Sequence, residues 1–220
     1  ETKKRQNLRV DLADEIAKFV RRGIAVNAGF IVGFDHDGPD IFERQRAFIE
    51  RLPVPIANIG ILVAPSQTPL RKRLAEEGRL IGDDRLGAGN VLTTNILPKQ
   101  MTHAQLVEGT RWLLNRVYAP EAFFRRLQQF ARLHPRSSKP VRRTQPSAIE
   151  RRIYARLSRM GEAERKLATD VAILARQRPL LHGKLGYFLL QYCQVRYMLQ
   201  SQDVWQPDLG ARAEPDFLAA

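Results

Sequence analysis

The side chains best suited to chemistry in this chain gather where apolar runs end. Asp35-His36-Asp37 follows the run Ile24–Phe34 and sets two carboxylates beside an imidazole. Such a trio can move protons near neutral pH or contribute to a metal site. One histidine with two neighbouring acids is a sparse ligand set, and a solvated loop is the competing reading. Asn27 and Asn58 lie inside apolar runs, where a buried amide needs partners. They point either to a ligand-bearing interior or to hydrogen bonds within the fold. Cys193 is the single cysteine, so the chain can hold neither an internal disulfide nor a cysteine-rich metal site. It falls on an apolar helical stripe with Phe188, Leu189 and Tyr192, the setting of an inert buried thiol.

The bulk figures set the frame. A chain of 220 residues with 44% hydrophobic content can bury a sizeable core as one domain, or as a domain with an appendage. Lys+Arg outnumber Asp+Glu 36 to 23, for a formal charge of +13. That balance attracts nucleic acid, anionic lipid or phosphorylated ligands. The excess sits in the second half. From Arg125 to Arg178 the acids are only Glu150, Glu162, Glu164 and Asp170, among many arginines. No apolar run reaches the roughly 18 residues needed to cross a bilayer. A cytoplasmic location is expected, with the inner face of the membrane as a possible peripheral site.

The positioning elements read as an α/β pattern. Asp11–Arg22 has helical spacing, with Asp11 as N-cap and Gly23 as C′ residue. Ile24–Phe34 and Ile56–Ala64 are β-rich apolar runs that predict strands buried on both faces. Between them Asp40 would cap a helix with Ile41, Phe42, Phe48, Ile49 and Leu52 on its apolar side. Helix and strand in alternation predict a parallel sheet with right-handed crossovers and active ends at the strand C-termini. A short helix follows at Thr68–Glu77, then a polar loop at Gly82–Pro98. Further helices are predicted at His103–Tyr118, capped by Thr102, and from Pro120 to about Leu133. The stretch 134–147 reads as a linker. Helices over Ala148–Met160, Glu162–Gln177 and about Leu181–Gln200 form a basic extension at 148–202, and 203–220 reads as a disordered tail.

A series of blocks resembles one family. Asn27-Ala-Gly-Phe-Ile-Val-Gly-Phe-Asp-His-Asp37 comes first, with Ile41-Phe-Glu-Arg-Gln45 and Phe48-Ile49 after it. Glu1-Thr-Lys-Lys-Arg-Gln-Asn7, Ala64-Pro-Ser-Gln-Thr-Pro-Leu70, Arg73–Leu80 and Thr94-Asn-Ile-Leu-Pro-Lys-Gln-Met101 complete it. In order and spacing, over about residues 1–130, they resemble the C-terminal part of cobalamin-dependent radical-SAM proteins. That group includes hopanoid and bacteriochlorophyll methylases. The resemblance implies the C-terminal half of a partial TIM-like barrel, followed by a mainly helical extension.

The same resemblance implies S-adenosylmethionine, an iron–sulfur cluster and cobalamin in the complete enzyme. That enzyme would cleave S-adenosylmethionine to a 5′-deoxyadenosyl radical and methylate an unactivated carbon of a small or lipid-like substrate. The Cys-x-x-x-Cys-x-x-Cys and Asp-x-His-x-x-Gly motifs of the family do not occur here. Glu1–Asn7 reads as the middle of a longer chain. The expectation is therefore a fragment, inactive alone, whose partner is a missing N-terminal half with the cobalamin domain and first strands.

Gly29-Phe-Ile31-Val-Gly33 resembles the family's adenine-packing strand, although His36 stands where that pattern has Glu. Core packing of the glycines against a helix is the alternative. Leu62, Val63, Ala64 and Pro65 would offer backbone groups to the adenine edge, or simply end a core strand. Asn27 joins these as a cofactor contact. Asp35, Asn58 and Asn95 are the substrate candidates, and Asp83, Asp84, Asn90, Thr93 and Thr94 share the long loop with Asn95. Lys4, Gln6 and Asn7 could bind ribose or carboxylate, or open a helix in solvent. The Arg-rich helices form a solvated face, or meet anionic lipid or the cobalamin domain. Two rivals remain: a basic module for nucleic acid or membrane, with nucleic acid the weaker because no such motif is present, and a degenerate scaffolding remnant.

Overall fold

The computed structural model describes residues 11–82, 90–136, 147–212 and 215. Lys4, Gln6, Asn7, Asp83, Asp84 and most of the linker lie outside these residues.

The first helix, α1 (Leu12–Arg21), forms as its residues dictate. The Asp11 carboxylate accepts the Ala13 N–H at 2.8 Å, and Gly23 ends the helix at φ +85°. The two strands are shorter than expected: β1 is Ala28–Val32 and β2 is Ala57–Ile61. They pair in a two-stranded parallel sheet, joined by the crossover helix α2 (Ile41–Arg51). Asp40 turns its carboxylate to Arg44 at 3.3 Å. The fold is α/β and mostly helical.

The expectation of strands buried on both faces is corrected. Burial alternates: Phe30, Val32, Ala57, Ile59 and Ile61 are buried, while Gly29, Ile31 and Asn58 are exposed. A continuous apolar run says that both faces avoid charge. It does not say that both are covered.

Past β2, Thr68 caps α3 (Pro69–Glu76), accepting the Arg71 N–H at 3.2 Å. An antiparallel bridge joins Leu80 to Ile96. Ala64, Leu74 and Ile96 form a small core with Leu62, Leu70 and Leu80 around it. The helix α4 (His103–Val117) packs on β2. Thr102 and Gln105 cap it reciprocally: the Gln105 N–H donates to Thr102 Oγ1 at 3.1 Å and the Thr102 N–H to Gln105 Oε1 at 2.8 Å. Gly109 is required here, because a Cβ would lie 2.2 Å from the Phe42 ring.

The remaining helices are α5 (Pro120–Leu133), α6 (Ala148–Met160), α7 (Glu162–Gln177), α8 (His182–Ser201) and α9 (Pro207–Ala211). Contacts divide the chain into two interleaved units. One holds 1–28, 48–56 and 118–198, and the other holds 29–47, 57–117 and 199–220. The first is a helical body. Its core contains Phe123, Leu127, Phe130, Val171, Phe188 and Tyr192, with Phe130 edge-on to Phe188 at 5.2 Å. Within it Arg196 is buried against Glu164 at 2.7 Å and the Tyr192 hydroxyl at 2.6 Å. The second unit holds the sheet.

The described residues after Asp203 depart from the expected disordered tail. The helix α9 packs on α4. The buried Asn115 amide donates to Val204 O at 2.8 Å and accepts the Gln206 N–H at 2.8 Å, while Arg111 donates to Asp203 O and Arg116 to Gly210 O. Composition there signals a loop, and long-range hydrogen bonds override it.

Candidate cofactor face of the sheet

The open face of the β1–β2 pair presents Asn27, Gly29, Ile31 and Asn58, all exposed, with Gly60 partly exposed. Ile31 is 47% exposed between strand neighbours that are buried. A Cβ on Gly29 or Gly60 would meet nothing within 4 Å. The face therefore offers one branched aliphatic side chain on a shallow floor of bare backbone, which suits a flat ring. Asn27 and Asn58 are exposed and are not amides inside a core.

Gly33 belongs to the opposite environment. It is buried at φ +98°, and a Cβ would press on Leu106 of α4 at 3.2 Å. Its neighbours set the turn after β1. Asp37 accepts the Gly33 and Phe34 N–H groups at 2.9 Å each, which closes the loop. His36 is exposed.

Asp35 is held more tightly than a free substrate contact would be. Only 8% exposed, its carboxylate meets Arg73 at 2.5 Å and Arg79 at 2.8 Å, and its carbonyl accepts Gln100 Nε2 at 2.9 Å. Burial alone would lower the Arg79 pKa. The hydrogen bonds and charges of Asp35 and Glu77 outweigh it and hold the guanidinium above its ordinary value.

The end of β2 is fixed by the loop before α4. Asn95, 3% exposed, donates to Ala64 O at 2.9 Å and accepts the Ala64 N–H at 2.8 Å. Thr94 donates to Leu62 O at 2.6 Å, and the Leu62 N–H donates to Val32 O at 2.8 Å. The backbone groups of Leu62 and Ala64 are thus committed within the chain. Between them, the Val63 N–H and C=O make no hydrogen bond to any described residue. Pro65 is exposed, and its carbonyl accepts the Thr68 hydroxyl at 2.8 Å. Asn90 is exposed, its side chain accepting the Leu92 N–H at 2.9 Å, and Thr93 is partly buried.

Sequence reasoning assigned no role to Arg73, Arg79 and Gln100, which surround Asp35. The available signal was Asp35 itself: a carboxylate at the end of an apolar strand needs cationic partners, and Arg73 in α3 and Arg79 just after it supply them.

The donor sets decide which cofactors these residues could hold. The open face has room for an adenine ring, with aliphatic contact from Ile31 and a Val63 peptide that makes no hydrogen bond among the described residues. An iron–sulfur cluster does not fit. Cys193 is the single cysteine, it is buried in α8, and burial raises its thiol pKa, the reverse of what a ligating thiolate needs.

Residues 68–176 match a family described as a domain of unknown function, DUF4070, which occurs in cobalamin-dependent radical-SAM proteins. The chain is 35% identical over 138 residues to the hopanoid C-2 methylase of Rhodopseudomonas palustris strain TIE-1, covering 60% of this chain. It is 34% identical over 97 residues, 44% of this chain, to an uncharacterized methyltransferase of Synechocystis sp.. It spans 25% of the first relative and 18% of the second. No solved structure matches. These matches agree with the family that the sequence blocks resemble.

Proposed function

We propose that the chain supplies one wall of the S-adenosylmethionine site of a cobalamin-dependent radical-SAM methylase and does not react alone. The exposed, glycine-flanked Ile31 on the open face of β1–β2 supports this reading. In a barrel completed by further strands, that face would line the interior, at the strand C-termini where such folds bind ligands.

Ile31 would pack on the adenine, with Gly29 leaving room for the ring. The Val63 N–H and C=O would serve the adenine edge. Leu62, Ala64 and Pro65 would shape the strand end and would not themselves donate or accept, because Thr94 and Asn95 already hold the first two. Asn27 and Asn58 would face the same interior. Asp35 would act through the Arg73–Arg79 cluster, as a positioning residue for the loop after β1. Bound S-adenosylmethionine, with the iron–sulfur cluster and cobalamin held elsewhere, would supply the radical and the methyl group. This chain's part is to align the nucleoside and keep water out.

The DNA directly upstream of the Glu1 codon tests the reading. An in-frame Cys-x-x-x-Cys-x-x-Cys, and 5′-deoxyadenosine formation by the protein extended to include it, are expected. An in-frame stop codon close upstream, with no such motif, would overturn it.

A further inference from the structure

The basic helical body carries a second surface, independent of the cofactor reading. Near its start α6 is locked by a capping box. The Glu150 N–H donates to the Ser147 hydroxyl at 3.2 Å and the Ser147 N–H to Glu150 Oε2 at 2.6 Å. The helix therefore presents fixed faces. Ile149, Arg152, Arg156 and Arg159 recur at helical spacing along one of them, and all four are exposed. Ile149 is 62% exposed.

The first half of α8 meets the start of α6, where His182 Nδ1 lies 3.3 Å from Glu150. Ile149, Ile153, Tyr187 and Leu190 line one open groove between the two helices. Gly186 is needed there, because a Cβ would lie 2.8 Å from Glu150 Oε1. Tyr187, Leu190, Gln194 and Tyr197 repeat along the α8 face at i, i+3, i+7 and i+10, with Tyr187 at 52% and Tyr197 at 63% exposure.

Charge on this face has one sign. Glu150 is the one acid in the groove, and its carboxylate is already engaged by the Ser147 N–H and by His182 Nδ1 at 3.3 Å. Arg152, Arg156 and Arg159 have no carboxylate partner among the described residues. Bulky aliphatic and tyrosine side chains thus stand in water beside unneutralised guanidiniums. A soluble surface gains nothing from that combination. An interfacial surface does, because apolar side chains enter the headgroup boundary while arginines meet phosphates, and tyrosine suits both environments. No helix among the described residues is long and apolar enough to cross a membrane, so the contact would lie in the plane.

We propose that the face shared by α6 and α8 seats the protein on an anionic bilayer. RNA would use the arginines but has little use for Ile149 and Leu190 at the rim of a shallow groove.

The full chain should sediment with phosphatidylcholine vesicles containing phosphatidylglycerol, and not with phosphatidylcholine alone. One arginine near such a surface contributes about 1 kcal/mol, a factor of about five. Replacing Arg152, Arg156 and Arg159 together by Glu should then weaken binding about a hundredfold. The double variant Ile149→Ser, Tyr197→Ser should weaken vesicle binding about tenfold without changing retention on single-stranded RNA. All five side chains are exposed, so circular dichroism should show the fold unchanged. Equal binding to neutral vesicles, vesicle binding unaffected by both variants, or displacement from anionic vesicles by stoichiometric RNA would each overturn the proposal.

Discussion

Asn95 shows how one buried amide can fix the end of a strand. Its side chain pairs with both backbone groups of Ala64, as a neighbouring strand would. Removing it leaves the buried Ala64 N–H without a partner and the Ala64 carbonyl with only the Arg71 guanidinium at 3.3 Å, and a buried unpaired group costs about 1–3 kcal/mol. Asn95→Ala should therefore destabilise the chain by about 1–3 kcal/mol in urea unfolding. Asn95→Asp should also destabilise it, because a carboxylate cannot donate to Ala64 O. A change below about 0.5 kcal/mol for either variant would show that the loop does not hold β2. Asn95 stood out in the sequence as a polar residue in a long loop, and a substrate contact was the natural expectation. Nothing local marked the residue 31 positions earlier as its partner. Asp35 is a similar case, since its chemistry was visible and the two arginines that absorb it were not.

At the scale of elements, the helices were the most legible. The spans Ala148–Met160 and Glu162–Gln177 read from periodicity are those that form, because apolar spacing runs through both and Ser147 caps the first. The strands were legible in place but not in extent or exposure. Ile24 is 49% exposed and outside β1, because branched apolar residues mark strand tendency regardless of what covers them. The Gly29–Gly33 pair divides between the two readings offered for it. Gly29 leaves an open floor, and Gly33 lets α4 approach. The approach of α2 to α4 depends on Gly109 in the same way. Gly109→Ala places a methyl inside the Phe42 ring envelope, and overpacking of this kind costs about 1–3 kcal/mol or more. Differential scanning calorimetry should show a clear drop in Tm, partly restored by the second change Phe42→Leu. A Tm unchanged by Gly109→Ala would contradict the packing described.

At the scale of the whole molecule, the chain's two units each draw on distant stretches of sequence, which a reading by consecutive segments does not reveal. The basic bias was plain from composition. Its concentration beside exposed tyrosines needed coordinates. Stability should also depend on pH through His134, which is 9% exposed at the end of α5. Burial lowers its pKa, and the nearby Lys184 and Arg178 charges add to the effect, against the hydrogen bonds to Pro135 and Gly23. The folded state thus binds the proton less readily than the unfolded chain. This contribution to stability is complete above the ordinary histidine pKa of 6.5 and is lost as pH falls from there toward the lower folded value. Urea midpoints should decline between neutral and mildly acidic pH, and His134→Gln should flatten that part of the profile. A slope unchanged in the variant would assign the dependence to other groups.

The central claim is that the open face of β1 and β2 meets adenine. The direct measurement is S-adenosylmethionine affinity in the protein extended upstream to include the proposed cluster-binding cysteines, compared among parent, Ile31→Val and Ile31→Asp. Ile31 is half exposed, so neither change should disturb folding. The account expects Ile31→Val to bind much as the parent does. It expects Ile31→Asp to bind at least about tenfold more weakly, a loss of about 1.4 kcal/mol. Parental affinity in Ile31→Asp would contradict it.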